Sequence, residues 1–157
     1  MIDKYSRYAA YFSAFILAVL ILLVVYDATM RYLFQTGSIA LQELEWHFFD
    51  VVILLGIAFT LQKNLHVRVD IFYDNFSQRT RHYIDLFAFV FFIFPFSLLV
   101  VYVGFNFVMI SFQQLEGSSN PGGLPYRYIV KSLMPISFIL LGLQVISEFF
   151  KRIKAMK

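Results

Sequence analysis

Residues 8–30 read YAAYFSAFILAVLILLVVYDATM, an almost unbroken apolar run that only Asp27 interrupts. A helix of about 20 apolar residues spans the ~30 Å hydrocarbon layer of a bilayer, so this run is long enough to cross it. It is too long for the apolar part of a secretory signal peptide, and no small-residue cleavage site follows it. We therefore expect a retained transmembrane helix over residues 8–32.

Three further apolar runs occupy residues 40–63, 84–112 and 129–150. The core of the second, from Trp46 to Leu61, has only 16 residues, so its helix needs the polar residues at both ends to reach across the bilayer. Lipid offers no partners for backbone N–H and C=O groups, and no run alternates as a barrel strand would, so each must be helical. The sequence therefore predicts an all-α membrane protein, a single domain over residues 1–157 with four transmembrane helices.

Composition argues against several other classes of protein. The 157 residues are 60% hydrophobic and only 15% charged, whereas soluble domains are about 45–50% apolar and about 25% charged. The chain has no cysteine, which rules out a disulfide framework, a thiolate metal site and a cysteine nucleophile. A net charge of +3 is small for a nucleic-acid-binding protein. Lipids are therefore an expected partner, and nucleic acids are not.

The basic residues are distributed unevenly between the two sides of the predicted bundle. Ten of the 13 Lys and Arg residues lie in the N-terminal segment, in residues 62–83, or in the C-terminal tail. The other three, Arg31, Arg127 and Lys131, lie at the opposite ends of the runs. Because cytoplasmic segments carry the excess of Lys and Arg, we expect both termini in the cytoplasm. We expect the membrane itself to be a bacterial inner membrane.

Two of the connections carry patterns of their own. Between the second and third runs, Phe72, Phe76 and Tyr83 alternate with charged and polar residues, which predicts a short amphipathic cytoplasmic helix on the membrane surface. Residues 117–123 read GSSNPGG, a dense cluster of turn-forming residues. That cluster predicts an irregular loop on the opposite, periplasmic side.

Ionisable residues within the runs are costly in lipid, so each requires a structural or functional reason. Glu43, His47 and Asp50 recur at spacings of four and three residues and so share one face of the second helix. Arg31 ends the first helix on the same side of the membrane as Glu43 and Glu45. We expect Arg31 to pair with a carboxylate of this group and thereby join the first helix to the second.

The same residues admit other interpretations. Clustered carboxylates would suit an ion or proton site. However, sodium sites in transporters use interrupted helices, and the second run has no such break. Haem is not expected, because His47 alone of the three histidines lies within a run, and zinc is not expected, because His66 and His82 match no ligand spacing. No catalytic triad, phosphate-binding loop or HExxH motif occurs. We therefore expect neither an enzyme nor a cofactor.

Four short motifs follow one another in a fixed order. They are Arg31-Tyr32 at the end of the first helix, Glu43 at the start of the second, Leu55-Gly56 within it, and His66-Val67-Arg68-Val69-Asp70 just after it. Their order and spacing resemble the small membrane subunit of tripartite ATP-independent periplasmic (TRAP) transporters, the DctQ-like family. Many members begin the second helix with a sequence like Trp-Ser-Glu-Glu, where residues 40–43 here read ALQE. The resemblance therefore leaves open whether Glu43 or Glu45 takes the family role.

The resemblance implies a subunit of a transporter. The small subunit pairs with a large multi-helix membrane subunit, which holds the substrate and sodium sites and moves as an elevator. It braces the fixed part of that subunit and helps to dock a periplasmic substrate-binding protein during sodium-driven uptake of a carboxylate. Contacts between helices or with the large subunit are then expected at Arg31, Glu43, Glu45, His47, Asp50, His66, Arg68 and Asp70.

The segment from His66 to Asp70 is expected to cap the second helix and hold the amphipathic segment against the membrane, with Asp70 pairing with Arg68 or with the large subunit. Two other functions are alternatives: a membrane redox protein that binds haem or quinone, and a self-sufficient exporter that works as a homodimer through Asp27 or Asp50. An intense haem absorbance band would identify the first. Purification without a large hydrophobic partner would identify the second.

Overall fold

The computed structural model describes residues 2–63 and 76–155, which form helices joined by turns, with no strand among them. The long helices are α1, Ile2–Leu33; α2, Ile39–Gln62; α3, Gln78–Gln113; and α4, Leu133–Ala155, which a single helical turn, Tyr128–Lys131, precedes. Within the described part of the chain, all four are long and apolar enough to cross a membrane. This confirms the predicted all-helical fold with four membrane-spanning helices.

The helices extend beyond the apolar runs that predicted them. α1 begins at Ile2 instead of residue 8, and α3 begins at Gln78 instead of residue 84. The difference arises because apolar residues mark the part of a helix that lies in lipid, whereas backbone hydrogen bonds continue into its polar ends. The predicted short amphipathic helix falls mostly on residues 64–75, which lie outside the described residues.

The bundle has two ends, because successive helices run antiparallel. The loop end holds the end of α1, the start of α2 and residues 114–127, which connect α3 to α4. The terminal end holds the start of α1, the end of α2, the start of α3 and the end of α4.

α4 is the central helix of the bundle. It packs against each of the other three, whereas α3 packs mainly on α4. In the most apolar stretch of α4, 28% of the residues are buried within the chain, whereas 11% are buried in the corresponding stretch of each of the other three helices. Since α3 stands apart from α2, a cleft of about 530 Å³ opens between them, lined by side chains that include Ile57, Phe92 and Phe138.

On α1 and on the second half of α3, the buried residues form a narrow line in which successive members are seven residues apart. The buried line of α1 is Ser6, Ser13, Leu20 and Asp27, and that of α3 is Ser97, Gly104 and Ser111. A seven-residue repeat keeps one line facing a neighbouring helix, and small residues let helices approach closely in lipid. A Cβ atom at Gly104 would lie 3.2 Å from Cε of Met134 and 3.4 Å from Cδ of Pro135, so the approach of α4 depends on this glycine.

A wider turn interrupts α3 in its first half. Residues Phe89–Ile93 form a π-helical turn, in which the N–H of Phe94 donates to the carbonyl of Phe89, five residues earlier. Pro95, which has no N–H to donate, follows directly. A π-helical turn of this kind adds one residue to the helix without breaking it.

The outer surface of the bundle is apolar over most of its length. Exposed large side chains occur on all four helices, for example Leu22 on α1 and Tyr102 on α3. Soluble monomers rarely expose contiguous apolar patches larger than a few hundred Å². The surface therefore requires lipid, or another membrane protein, as its surroundings.

Candidate functional site

Glu43 lies in the second turn of α2 at the loop end, and its side chain is buried. The helix begins after Ser38, whose hydroxyl accepts a hydrogen bond from the N–H of Leu41, 3.4 Å away. This cap is the usual way in which a serine satisfies a free N–H group at a helix start. It fixes the direction of the first turns and so directs Glu43 toward the connection between α3 and α4.

The connection at residues 114–127, here called the Glu43 loop, folds onto the carboxylate of Glu43. The hydroxyl of Ser118 and the side-chain amide of Asn120 donate to Oε1, the amide at 3.3 Å. The backbone N–H of Leu124 donates to Oε2 at 2.7 Å. Hydrogen bonds to an ionised acceptor are about twice as strong as neutral ones. One buried carboxylate therefore holds three separate points of the loop.

The Glu43 loop is also closed on itself. The N–H of Ser118 donates to the carbonyl of Leu124 at 2.9 Å, and the N–H of Arg127 donates to the carbonyl of Glu116 at 2.8 Å. Gly123 leaves room for this closure, because a Cβ there would overlap the side chain of Ser118 and lie 2.8 Å from Oε2 of Glu43. The loop is thus a defined structure, which the sequence predicted only as an irregular turn.

An ion pair also holds the Glu43 loop in place. Nζ of Lys131 lies 2.5 Å from Oε2 of Glu116 and 4.1 Å from the ring centroid of Phe107. The hydrogen bond from Lys131 holds the pKa of Glu116 below its ordinary value. The carboxylate is therefore charged at neutral pH, and Lys131 joins the loop to α3 and to the single helical turn that precedes α4.

Arg31 forms its ion pair within α1, with Asp27. The predicted pairing of Arg31 with a carboxylate of α2 is therefore wrong, because a four-residue spacing places Asp27 directly beside Arg31 and the loop occupies the carboxylate of Glu43. Glu45 lies near enough to interact electrostatically with Asp27 and Arg31, but no ion pair joins it to a described residue. Oδ1 of Asp27 and Oε1 of Glu45 are buried and receive no hydrogen bond from the described residues.

His47 and Asp50 follow Glu43 along α2 but are not part of the Glu43 contact. Asp50 is exposed at the middle of the helix, and His47 is partly buried one turn earlier. His47 lines a cavity of about 360 Å³ together with Leu124, Pro125 and Tyr126 of the loop. An ionised carboxylate at the centre of a membrane helix costs about 3 kcal/mol to insert. The position of Asp50 therefore requires a structural or functional reason.

A polar network that the sequence analysis missed joins α1 to α4 at the terminal end. Gln144 is fully buried and donates to both Oδ1 of Asp3 and Oε1 of Glu148, at 2.9 Å each. It also accepts a hydrogen bond from Ser6 at 2.7 Å. Lys151 lies 2.6 Å from Asp3 and 2.7 Å from Glu148. The spacing of 144, 148 and 151 along one helix face was a signal that could have revealed it.

A further ion pair at the same end joins α3 to α4. Arg152 pairs with Asp85, and its guanidinium lies 5.6 Å from the ring centroid of Phe89. Both side chains of the pair are largely buried, being 12% and 7% exposed. Together with the network around Gln144, this pair connects α4 to two different helices at the terminal end.

Three of the predicted contact residues, His66, Arg68 and Asp70, lie outside the described residues. The other five are placed as follows: Arg31 pairs with Asp27, Glu45 lies beside that pair, Glu43 on α2 binds the loop, and His47 and Asp50 lie further along α2. Among residues 2–63 and 76–155, no three His, Asp or Glu side chains come together so as to hold a metal ion. The arrangement binds polypeptide segments to one another through carboxylates.

Comparison with known proteins adds one finding. A family model described as "Tripartite ATP-independent periplasmic transporters, DctQ component" matches residues 20–155 of the chain. The matched region includes α2, α3, α4, the Glu43 loop and the last 14 of the 32 residues of α1. A comparison with curated proteins found no match.

Proposed function

The chain belongs to the DctQ component family of tripartite ATP-independent periplasmic (TRAP) transporters, and on that premise we propose that it braces the large, elevator-type subunit of a sodium-driven carboxylate importer. The family supplies a component of these transporters and is not an enzyme family. In this proposal the partners are the large multi-helix membrane subunit, the periplasmic substrate-binding protein and the surrounding lipids.

The bracing role is supported by how the helices are joined. Within the described residues, buried polar contacts join α4 to α1 through Gln144 and to α3 through Arg152. Polar contacts buried in a membrane protein fix one arrangement of helices, since lipid cannot replace them. A bundle fixed in this way is suited to hold still while a partner moves against it.

The docking role rests on one observation, the attachment of the Glu43 loop to Glu43. Three hydrogen bonds to a buried carboxylate hold the loop in one conformation at the loop end. A surface that is already ordered costs less entropy when a partner binds it. We therefore assign to this loop a part of the surface that receives the substrate-binding protein.

The orientation completes the proposal. The uneven distribution of Lys and Arg favours an inner-membrane location with both termini in the cytoplasm. The loop end, which lies opposite the termini, then faces the periplasm, where a substrate-binding protein could reach it. Because the chain has no cysteine, a single Cys introduced at Ser119 can be tested for reaction with a membrane-impermeant maleimide added to intact spheroplasts.

The test of function is reconstitution of the complex. The tagged chain is co-expressed with its large subunit, purified, and placed in proteoliposomes together with the substrate-binding protein and a labelled carboxylate. We expect the large subunit to remain with the tagged chain and uptake to require an inward sodium gradient. A potassium gradient of equal size is the matched control.

Two results would contradict the proposal. One is full uptake by proteoliposomes that contain the large subunit and the binding protein but lack this chain. The other is a tagged chain that purifies only with copies of itself, which is the result that a self-sufficient exporter would give.

A further inference from the structure

Asp50 is the twelfth of the 24 residues of α2. At a rise of 1.5 Å per residue it lies about 17 Å from either end of the helix, near the middle of the hydrocarbon layer. Its side chain is exposed on the surface of the chain. A carboxylate at this depth is therefore directed neither into the bundle nor toward water.

The chain itself offers Asp50 little compensation. His47, three residues earlier, interacts with it electrostatically, but no basic nitrogen of the described residues lies within 4 Å of its carboxylate. Around Asp50 the surface of α2 is apolar: Trp46 is 68% exposed, Phe49 46% and Ile53 51%. Lipid tails provide no hydrogen-bond donor for a carboxylate in such surroundings.

We propose that the surface formed by Trp46, Phe49, Asp50 and Ile53 is covered by a transmembrane helix of the large subunit, which carries a hydrogen-bond-donating side chain opposite Asp50. This inference rests on the proposed function, since it assigns a face of α2 to the large subunit. Ionisable residues in membrane segments almost always face protein or a water-filled cavity, where they find a partner. Aromatic side chains such as Trp46 and Phe49 are also enriched at protein interfaces.

A second copy of this chain fits the same surface poorly. In a symmetric dimer centred on Asp50, the same patch would meet itself, and two carboxylates would face each other in a medium of low dielectric constant. The charge of Asp50 therefore favours a different chain, one that supplies a donor.

The decisive experiment compares Asp50→Leu with Asp50→Asn in the co-expressed complex. Asp50→Leu removes both acceptors, and we expect the amount of large subunit retained after a detergent wash to fall at least fivefold. Asp50→Asn keeps one acceptor and should retain at least half. Leu22→Ile, at an exposed position on α1 outside this surface, is the control and should retain nearly all.

The opposite result has a clear meaning, because a lipid-facing carboxylate weakens a membrane protein. If Asp50 faced lipid, Asp50→Leu would raise the yield and thermal stability of the chain and leave retention of the large subunit unchanged. That outcome would overturn the inference. Membrane insertion of each variant is measured separately, so that poor expression is not read as lost contact.

Cross-linking provides an independent measurement that does not depend on a variant of Asp50. A photoreactive benzoylphenylalanine at Phe49 or at Ile53 should form an adduct with the large subunit upon illumination. Adducts only with the same chain, or none while the complex stays intact, would overturn the inference but leave the proposed function standing. If the unmodified chain does not retain the large subunit at all, the proposed function and the inference fail together.

Discussion

The two ends of the bundle are held by polar contacts of different kinds. At the loop end, the carboxylate of Glu43 binds a connection between helices through two neutral side chains and a backbone N–H. At the terminal end, side chains of α1 and α4 bind one another, with Gln144 and Lys151 each joined to both Asp3 and Glu148. The first arrangement shapes a loop, and the second fixes helices.

The difference predicts how each end responds to change. Glu43 is the shared acceptor for three points of the loop, so its loss removes all three contacts at once. Gln144 and Lys151 bridge the same two carboxylates, so the loss of one leaves the other in place. A single substitution should therefore remove most of the polar contacts at the loop end but only some of those at the terminal end.

Glu43→Ala should have the largest effect, because it removes the acceptor for Ser118, Asn120 and Leu124 together. We expect a nitroxide spin label on a cysteine introduced at Ser119 to change from a mostly immobile to a mostly mobile spectrum. Docking of the substrate-binding protein should weaken roughly tenfold, the equivalent of one hydrogen bond to a charged group.

Glu45→Ala is the control for this substitution, since no hydrogen bond from the loop to Glu45 occurs among the described residues. It should leave the label immobile. Equal mobility in the two variants would show that Glu43 does not hold the loop and would remove the contrast between the two ends.

Gly123→Ala should have the next largest effect. Its Cβ would overlap Ser118 and approach Oε2 of Glu43, so the loop would have to move away from the carboxylate. Overpacking of this kind costs about 1–3 kcal/mol. Gly117→Ala is the control, because its Cβ would lie at an ordinary 3.8 Å from Pro125. A label at residue 119 that stays immobile in Gly123→Ala would show that the loop accommodates a Cβ at residue 123 without moving away from Glu43.

Gln144→Leu should have the smallest effect, and a different one. It breaks the contacts of Gln144 with Ser6, Asp3 and Glu148, but Lys151 still bridges the two carboxylates. We expect a loss of about 1 kcal/mol in stability, measured as a lower unfolding temperature in detergent. The label at residue 119 should not respond. Gln113→Leu, at an exposed position on α3, should change neither measurement.

The sequence predicted the helices because lipid imposes a simple requirement. About 20 apolar residues are needed to cross the hydrocarbon layer, and four runs of that kind are visible without any knowledge of tertiary contacts. The same requirement says nothing about helix ends. α1 and α3 begin six residues earlier than predicted, at Ile2 and Gln78, in polar segments that lipid does not select.

The candidate site was predictable only in part. Glu43 and the turn cluster at residues 117–123 were both noticed, but Ser118 lies 75 residues from Glu43 in sequence, and no local pattern connects them. Arg31 was paired with the wrong helix, although the four-residue spacing to Asp27 was present in the sequence. Local spacing favours contacts within a helix, whereas contacts between elements require the fold itself.

The π-helical turn at Phe89–Ile93 sets the rotational phase of α3. An α-helix rotates by about 100° per residue, so along an unbroken helix Asp85 would lie about 120° around the axis from Ser97. The one extra residue absorbs about 100° of that rotation, which brings Asp85 almost into line with Ser97 and Gly104. Asp85 and the line of small residues that begins at Ser97 therefore face α4 along one continuous line. With a regular helix, the carboxylate that meets Arg152 would instead be aimed at hydrocarbon.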